Sequence, residues 1–88
     1  MKNPKNDVCI EFHQELDRAR SKFGPIHNLH EGYAIIKEEF DEFWEVVREQ
    51  YTPERLVDAR KELIQVAAMV IRTIEDVIDN DFYENMRG

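Results

Sequence analysis

Apolar residues recur at spacings of three and four through most of the chain, in three stretches separated by Gly24-Pro25 and by Thr52-Pro53. That period is helical. The first stretch runs over about 7–23, where Asp7 can cap a helix and Val8, Phe12, Leu16, Ala19 and Phe23 fall on one stripe. The second runs over about 29–50. The third, about 53–79, opens with Thr52 as N-cap, Pro53 at the first helical position and Glu54 beside the positive end of the helix dipole. It is long for a globular helix, so a break near one end is expected. A polar leader (1–6) precedes the first helix, and the tail after Asn80 has room for one more helical turn. No period-two alternation and no Asn-Gly or Asp-Gly turn announces a strand. The expected fold is all-α, a single domain of three main helices.

Placed on a helical wheel, the second stretch has Ile36, Phe40, Phe43 and Val47 within an arc of about 60°, the expected core stripe. Glu38, Asp41 and Glu45 fall opposite it, on a solvated face. Glu39 and Glu42 instead share the flank of the apolar face with Ile35 and Val46. In the third stretch Leu56, Leu63, Ala67, Val70, Ile74 and Val77 form the expected core stripe. There Glu62 lies on the flank near Val66 and Met69, and Gln65 follows one turn later. If the two helices pack antiparallel, three carboxylates and an amide oxygen converge. Carboxylates crowded into a partly desolvated place repel one another and cost free energy until protons or a cation join them. Mg²⁺ prefers such oxygen ligands. The competing reading is an ordinary acidic helix surface, since glutamate is a good helix former and Glu38 with Asp41 has the same spacing.

Charge sharpens this choice. The chain has 88 residues, 19 acidic and 12 basic, for a net charge of −7. Such a surface repels nucleic-acid polymers and anionic membranes. Yet 42% of residues are apolar, too many for a disordered acidic tail. The one cysteine, Cys9, cannot form an internal disulfide and is expected as a small core or interface residue in a reducing, cytoplasmic setting. No apolar run is long enough to span a membrane. The third helix is apolar over more than half its circumference near Leu63 to Ile71, more than two partner helices can cover. Self-association, as a dimer or tetramer, is therefore expected to complete the bundle.

The run from His30 to Val47, with Glu39-Phe-Asp-Glu42 inside it, and the later run Arg60-Lys-Glu62-Leu-Ile-Gln65 resemble the MazG-like nucleoside triphosphate pyrophosphohydrolases. These belong to the all-α NTP pyrophosphatase superfamily. The family pattern is Glu-x-x-Glu, a spacer, then Glu-x-x-Asp. Glu39 and Glu42 match the first pair and Glu62 opens the second. Gln65 stands where the family has aspartate, which removes one negative charge. Asp58, one turn before Glu62, lies nearer the solvated side.

The resemblance implies hydrolysis of (d)NTP to (d)NMP and pyrophosphate. Mg²⁺, or Mn²⁺ in its place, is held by Glu39, Glu42, Glu62 and Gln65, and Glu39 or Glu42 serves as general base. Lys37, Arg60, Lys61 and Arg72 are candidates for phosphate contacts, with solvated counter-charge as the competing role. Trp44 and Tyr33 could stack on a base, against packing as the alternative, and His27 or His30 could reach substrate from the loop entering the second helix. His-x-x-His at these two positions lacks the further ligands a zinc site needs. The other class of function is a non-catalytic helical module, nucleotide-sensing or protein-binding, that keeps the fold without the chemistry.

Overall fold

The computed structural model describes residues 4–80. Helix α1 spans Pro4–Phe23, α2 Leu29–Val47 and α3 Pro53–Thr73, and a π-helical segment, Ile74–Asp79, continues α3. The described residues contain no strand. The fold is all-α.

Each helix boundary has a local cause. At the end of α1, Gly24 takes φ +72°, a left-handed conformation that glycine adopts without strain, and its N–H donates to Arg20 O at 3.1 Å. Asn28 caps α2, its side chain accepting from Glu31 N at 2.8 Å. Thr52 caps α3 in the same way, accepting from Arg55 N at 3.1 Å, with Pro53 in the first turn as expected. Arg55 then reaches back across the turn. Its Nε donates to Val46 O (3.1 Å), which also accepts from Glu49 N, and its Nη2 donates to Val47 O (2.6 Å), so the side chain ties α3 to the carbonyls at the end of α2.

Two boundaries differ from expectation, and a third expected feature is found. Helix α1, as described, already includes Pro4, so Asp7 lies inside the helix rather than at its cap. Helix α2 ends at Val47, not near residue 50. The expected break in the third helix takes the form of the π segment. Just before it, Thr73 Oγ1 donates to Met69 O at 2.9 Å, the kind of side-chain back-bond that loosens a helix. The turn expected after Asn80 and the start of the polar leader (1–3) lie outside the described residues.

Helix α3 is central and packs against both other helices. The core is small: Ala19 of α1 meets Ala68 and Met69 of α3, with Ile35 and Ile36 of α2 packed against them. Leu16, Ile26, Val46, Ile64 and Val77 are also buried. Two expected stripes are therefore rotated. In α2 the inward side is Gly32, Ile35, Ile36 and Val46, while Phe40 is 56% exposed. In α3 the inward side is Ile64, Ala68, Met69, Arg72 and Thr73, while Leu56, Leu63, Val70 and Ile74 face out. The reason is that α3 is apolar on two sides, and α1 and α2 cover only one. Phe23, expected in the α1 stripe, is exposed where α1 ends, and Cys9 is exposed rather than in the core.

Gly32 faces Thr73. A Cβ at position 32 would lie 2.6 Å from Thr73 Cγ2 and 2.8 Å from its Oγ1, so the α2–α3 approach depends on its absence. At the far end, Asp76 ties three elements together. Its Oδ1 accepts from Arg20 Nη2 and its Oδ2 from Ile26 N, each at 3.0 Å. Replacing Asp76 with Ala would leave the part-buried Ile26 N–H unpaired and break the ion pair with α1. A loss of about 1–3 kcal/mol is expected, read as a lower midpoint in urea with an unchanged m-value. A midpoint equal to wild type would show that the link contributes nothing.

Candidate metal centre

The α2–α3 pair positions the acidic cluster. Glu39 and Glu42 lie one turn apart on the side of α2 that faces α3, and Glu62 meets them from α3. One carboxylate oxygen from each lies within 4.8 Å of the others. Glu39 and Glu62 are partly buried and Glu42 is exposed, so the cluster sits at the mouth of the helix pair. Gln65 closes it. With its amide nitrogen toward the acids, it donates to Glu39 Oε2 (2.9 Å) and Glu62 Oε2 (3.1 Å).

The electrostatics follow from this crowding. Desolvation first, then the charges and hydrogen bond of Glu42 and the charge of Glu62, push the Glu39 carboxyl up to about 7. Desolvation and Glu42 likewise raise Glu62, with Lys61 opposing and Asp58 adding to the rise. A proton on Glu39 relieves the repulsion, and so would a cation.

This has a consequence for stability. A carboxyl whose folded value is raised binds more protons folded than unfolded, so its stabilising effect is present below the ordinary carboxylate value and is lost as pH rises through about 7. The metal-free protein is therefore expected to melt higher at pH 5 than at pH 8, all else equal, in thermal denaturation followed by circular dichroism. Substituting Glu39 with Gln should flatten that difference.

The donor set is all oxygen: three carboxylates and, once the amide turns over, Gln65 Oε1. In octahedral coordination at about 2.1 Å, ligand oxygens lie about 3–4 Å apart. The spread of the three carboxylate oxygens is close to that, so these residues fit Mg²⁺ or Mn²⁺ after small side-chain shifts. The absence of nitrogen and sulfur donors in the cluster does not suit zinc.

The other sequence candidates separate clearly. Glu38 and Asp41, the alternative pair, are exposed, and Asp41 accepts from Lys37 Nζ at 2.8 Å on the solvated face of α2. Lys37 is thus engaged away from the cluster. Lys61 and Arg60 line a groove of about 390 Å³ between α1 and α3 that ends at Gln65. Within it Arg60 is paired with Glu11. Trp44, Tyr33 and His30 are exposed, with more than half of Trp44 and Tyr33 open to solvent. His27 pairs with Glu31 at 3.1 Å.

Arg72 departs most from expectation. It is no solvated counter-charge: only 2% of it is exposed, and it lines a second cavity of about 350 Å³ that reaches Glu39. Helix α1 supplies residues that sequence reasoning missed. Arg18, paired with Glu15, lines both cavities, and the charge of Glu39 adds to that of Glu15 in favouring its protonated form. The Glu15-x-x-Arg18 spacing is the only trace of this in the chain, and it does not distinguish a site from a surface ion pair.

No described helix is long and apolar enough to cross a membrane. No protein-family model matches the chain, and no curated protein or solved structure is similar to it, so the functional reading rests on this cluster and its surroundings.

Proposed function

We propose that the protein is a divalent-cation-dependent nucleoside triphosphate pyrophosphohydrolase, converting (d)NTP to (d)NMP and pyrophosphate. One observation carries this reading: three mutually repelling carboxylates from two packed helices, two of them partly buried, gather with Gln65 beside them in a cluster compact enough to share a divalent cation such as Mg²⁺. The resemblance of the Glu39/Glu42 and Glu62/Gln65 runs to MazG-like enzymes supports the same chemistry.

Glu39, Glu42 and Glu62 would hold the cation, with Gln65 contributing Oε1 after its amide rotates. Mg²⁺ in that place would screen the substrate's phosphate charge and lower the barrier to attack by water. Glu39 or Glu42, beside that cation, would take the proton as the water oxygen bonds to the α-phosphorus. The bond from that phosphorus to the bridging oxygen breaks, and pyrophosphate leaves. Lys61 and Arg18, in the groove that ends at Gln65, would receive the departing phosphates. The expected setting is cytoplasmic.

Self-association belongs to the same reading. Leu56 and Leu63 line an apolar groove with Val8 and Phe12 between α1 and α3, and Val70 and Ile74 continue the outward face of α3. A chain this small gains core by pairing. Light scattering should give a dimer or larger species, and Leu63→Lys should shift it toward monomer. A wild-type monomer at high concentration would end this part of the proposal.

The decisive experiment is incubation with canonical and modified (d)NTPs plus Mg²⁺ or Mn²⁺, following pyrophosphate release. Cation-dependent release is the expected result. Gln65 favours one alternative, because a neutral ligand weakens the site relative to the family's aspartate. Nucleotide and metal binding with no turnover of any triphosphate would establish a sensing module instead.

A further inference from the structure

Gln65 differs in kind from the three carboxylates it joins. It is neutral, and its amide can turn either a donor or an acceptor toward the cluster. With the donor inward, its nitrogen donates to Glu39 Oε2 at 2.9 Å and to Glu62 Oε2 at 3.1 Å, one carboxylate on α2 and one on α3. The amide hydrogens thus stand between two groups that otherwise repel each other. They supply part of what a cation would supply, a positive pole that joins the two helices across the cluster.

A cation admitted to the cluster reverses what is needed from this side chain. It repels the amide hydrogens and attracts Oε1, so the amide has to turn about its last side-chain bond. Both hydrogen bonds to the carboxylates are lost in that turn. An aspartate, as in the family pattern, has no such bonds to lose and adds a negative charge. A bare ion therefore gains less here than among four carboxylates. A polyphosphate gains more, because the ion-filled cluster carries one negative charge fewer and repels it less. Gln65 also lines the groove between α1 and α3 in which Lys61 and Arg18 stand, so the same side chain borders the cluster and the groove.

We infer that the Gln65 amide is a switch: it stands in for the cation in the metal-free protein, and it makes the site take the cation together with a polyphosphate in preference to the bare ion. The inference rests on the pyrophosphohydrolase reading only in taking that polyphosphate to be a nucleoside triphosphate. Glutamine at position 65 is then a specificity-determining residue, not a weakened aspartate. Donor inward, it ties Glu39 to Glu62; acceptor inward, it completes the ligand set once the anion has arrived to repay the two lost bonds. Coupling of this kind is reciprocal, so the cation tightens the anion as much as the anion tightens the cation.

The test is isothermal titration calorimetry on the full chain at pH 8. The two titrants are Mn²⁺ alone and the preformed Mn²⁺ complex of a deoxynucleoside triphosphate whose α,β-bridging oxygen is replaced by methylene. Wild type is expected to bind the complex at least about tenfold more tightly than the bare ion. Gln65→Glu keeps the side-chain length, loses both donors and adds a charge. It should bind bare Mn²⁺ at least about tenfold more tightly than wild type and the complex no more tightly. The amide itself is read in wild type by NMR, which needs no variant. The Gln65 side-chain N–H signals should move when the Mg²⁺ complex of the analogue binds, as their carboxylate partners are lost. Gln65→Glu binding bare Mn²⁺ no more tightly than wild type, an equal gain for ion and complex, or Gln65 amide signals that the bound complex leaves unmoved overturns the inference. The expected preferences without pyrophosphate release from any triphosphate would refute the enzymatic reading alone. Release with the bare ion and the complex bound equally well by wild type would refute this inference alone.

Discussion

Glu39→Gln is expected to lower pyrophosphate release by about 100-fold or more, the scale of losing a group that acts directly on charge developing in the transition state. The same variant should be more stable than wild type at pH 8 without metal. These opposite effects share one cause. Glu39 is held charged, above pH 7, in a place that desolvation and two neighbouring glutamates make unfavourable for charge. Glutamine preserves the shape and the hydrogen bonding while removing the repulsion, so the fold gains and the site loses its central ligand. Added Mg²⁺ should raise the melting temperature of the wild type and leave the variant nearly unmoved, since only a state that binds the ion is stabilised by it. Glu45→Gln is the matched control: Glu45 lies on the solvated side of α2, paired with Arg48 at 3.5 Å, and should change neither rate nor Mg²⁺ response. A Glu39→Gln protein with full activity and an unaltered Mg²⁺-induced shift would remove Glu39 from the site.

The second large effect concerns the fold. Gly32→Ala, in the first turn of α2, where alanine is ordinarily a better helix former than glycine, is expected instead to destabilise by about 1–3 kcal/mol, the usual cost of overpacking. The new methyl would meet Thr73 at 2.6 and 2.8 Å, and Thr73 is itself buried and bonded to Met69 O. Urea denaturation measures the loss. The double variant Gly32→Ala, Thr73→Ala should recover most of it, because the closest remaining Thr73 atom, Cβ, lies 3.3 Å away. Additive losses in the double variant would show that the two residues are not in contact.

The helix-breaking residues were plain in the chain because their effect is local. Gly24-Pro25 and Thr52-Pro53 act through their own backbone geometry, whatever surrounds them. The acidic cluster was legible for a related reason: Glu39, Glu42 and Glu62 sit at the border of an apolar arc, and a helical wheel locates borders well. Which side of a helix faces inward was harder. Helix α3 carries apolar residues on both the Ile64–Ala68 side and the Leu63–Val70 side, and the choice between them belongs to its partners rather than to α3 itself. The α2 stripe was misplaced by one position for the same reason, with Phe40 outward and Val46 inward. Arg72 was unreadable. It sits on the inward side of α3, and its burial depends on a carbonyl that only the left-handed turn at Gly24 presents.

The guanidinium of Arg55, which donates to two carbonyls at the end of α2, joins residues only eight and nine positions apart. Its bonds close a short loop, and short loops close early and cheaply. Helices α2 and α3 are thereby set to form first as a hairpin, with α1 docking onto it afterwards. In native-state hydrogen exchange, α1 amides should then exchange through smaller openings than those of α3. Because α1 forms one wall of each cavity lined by Arg18, any molecule held there would slow that exchange selectively. The order in which this protein assembles thus offers a way to detect its ligand without measuring turnover.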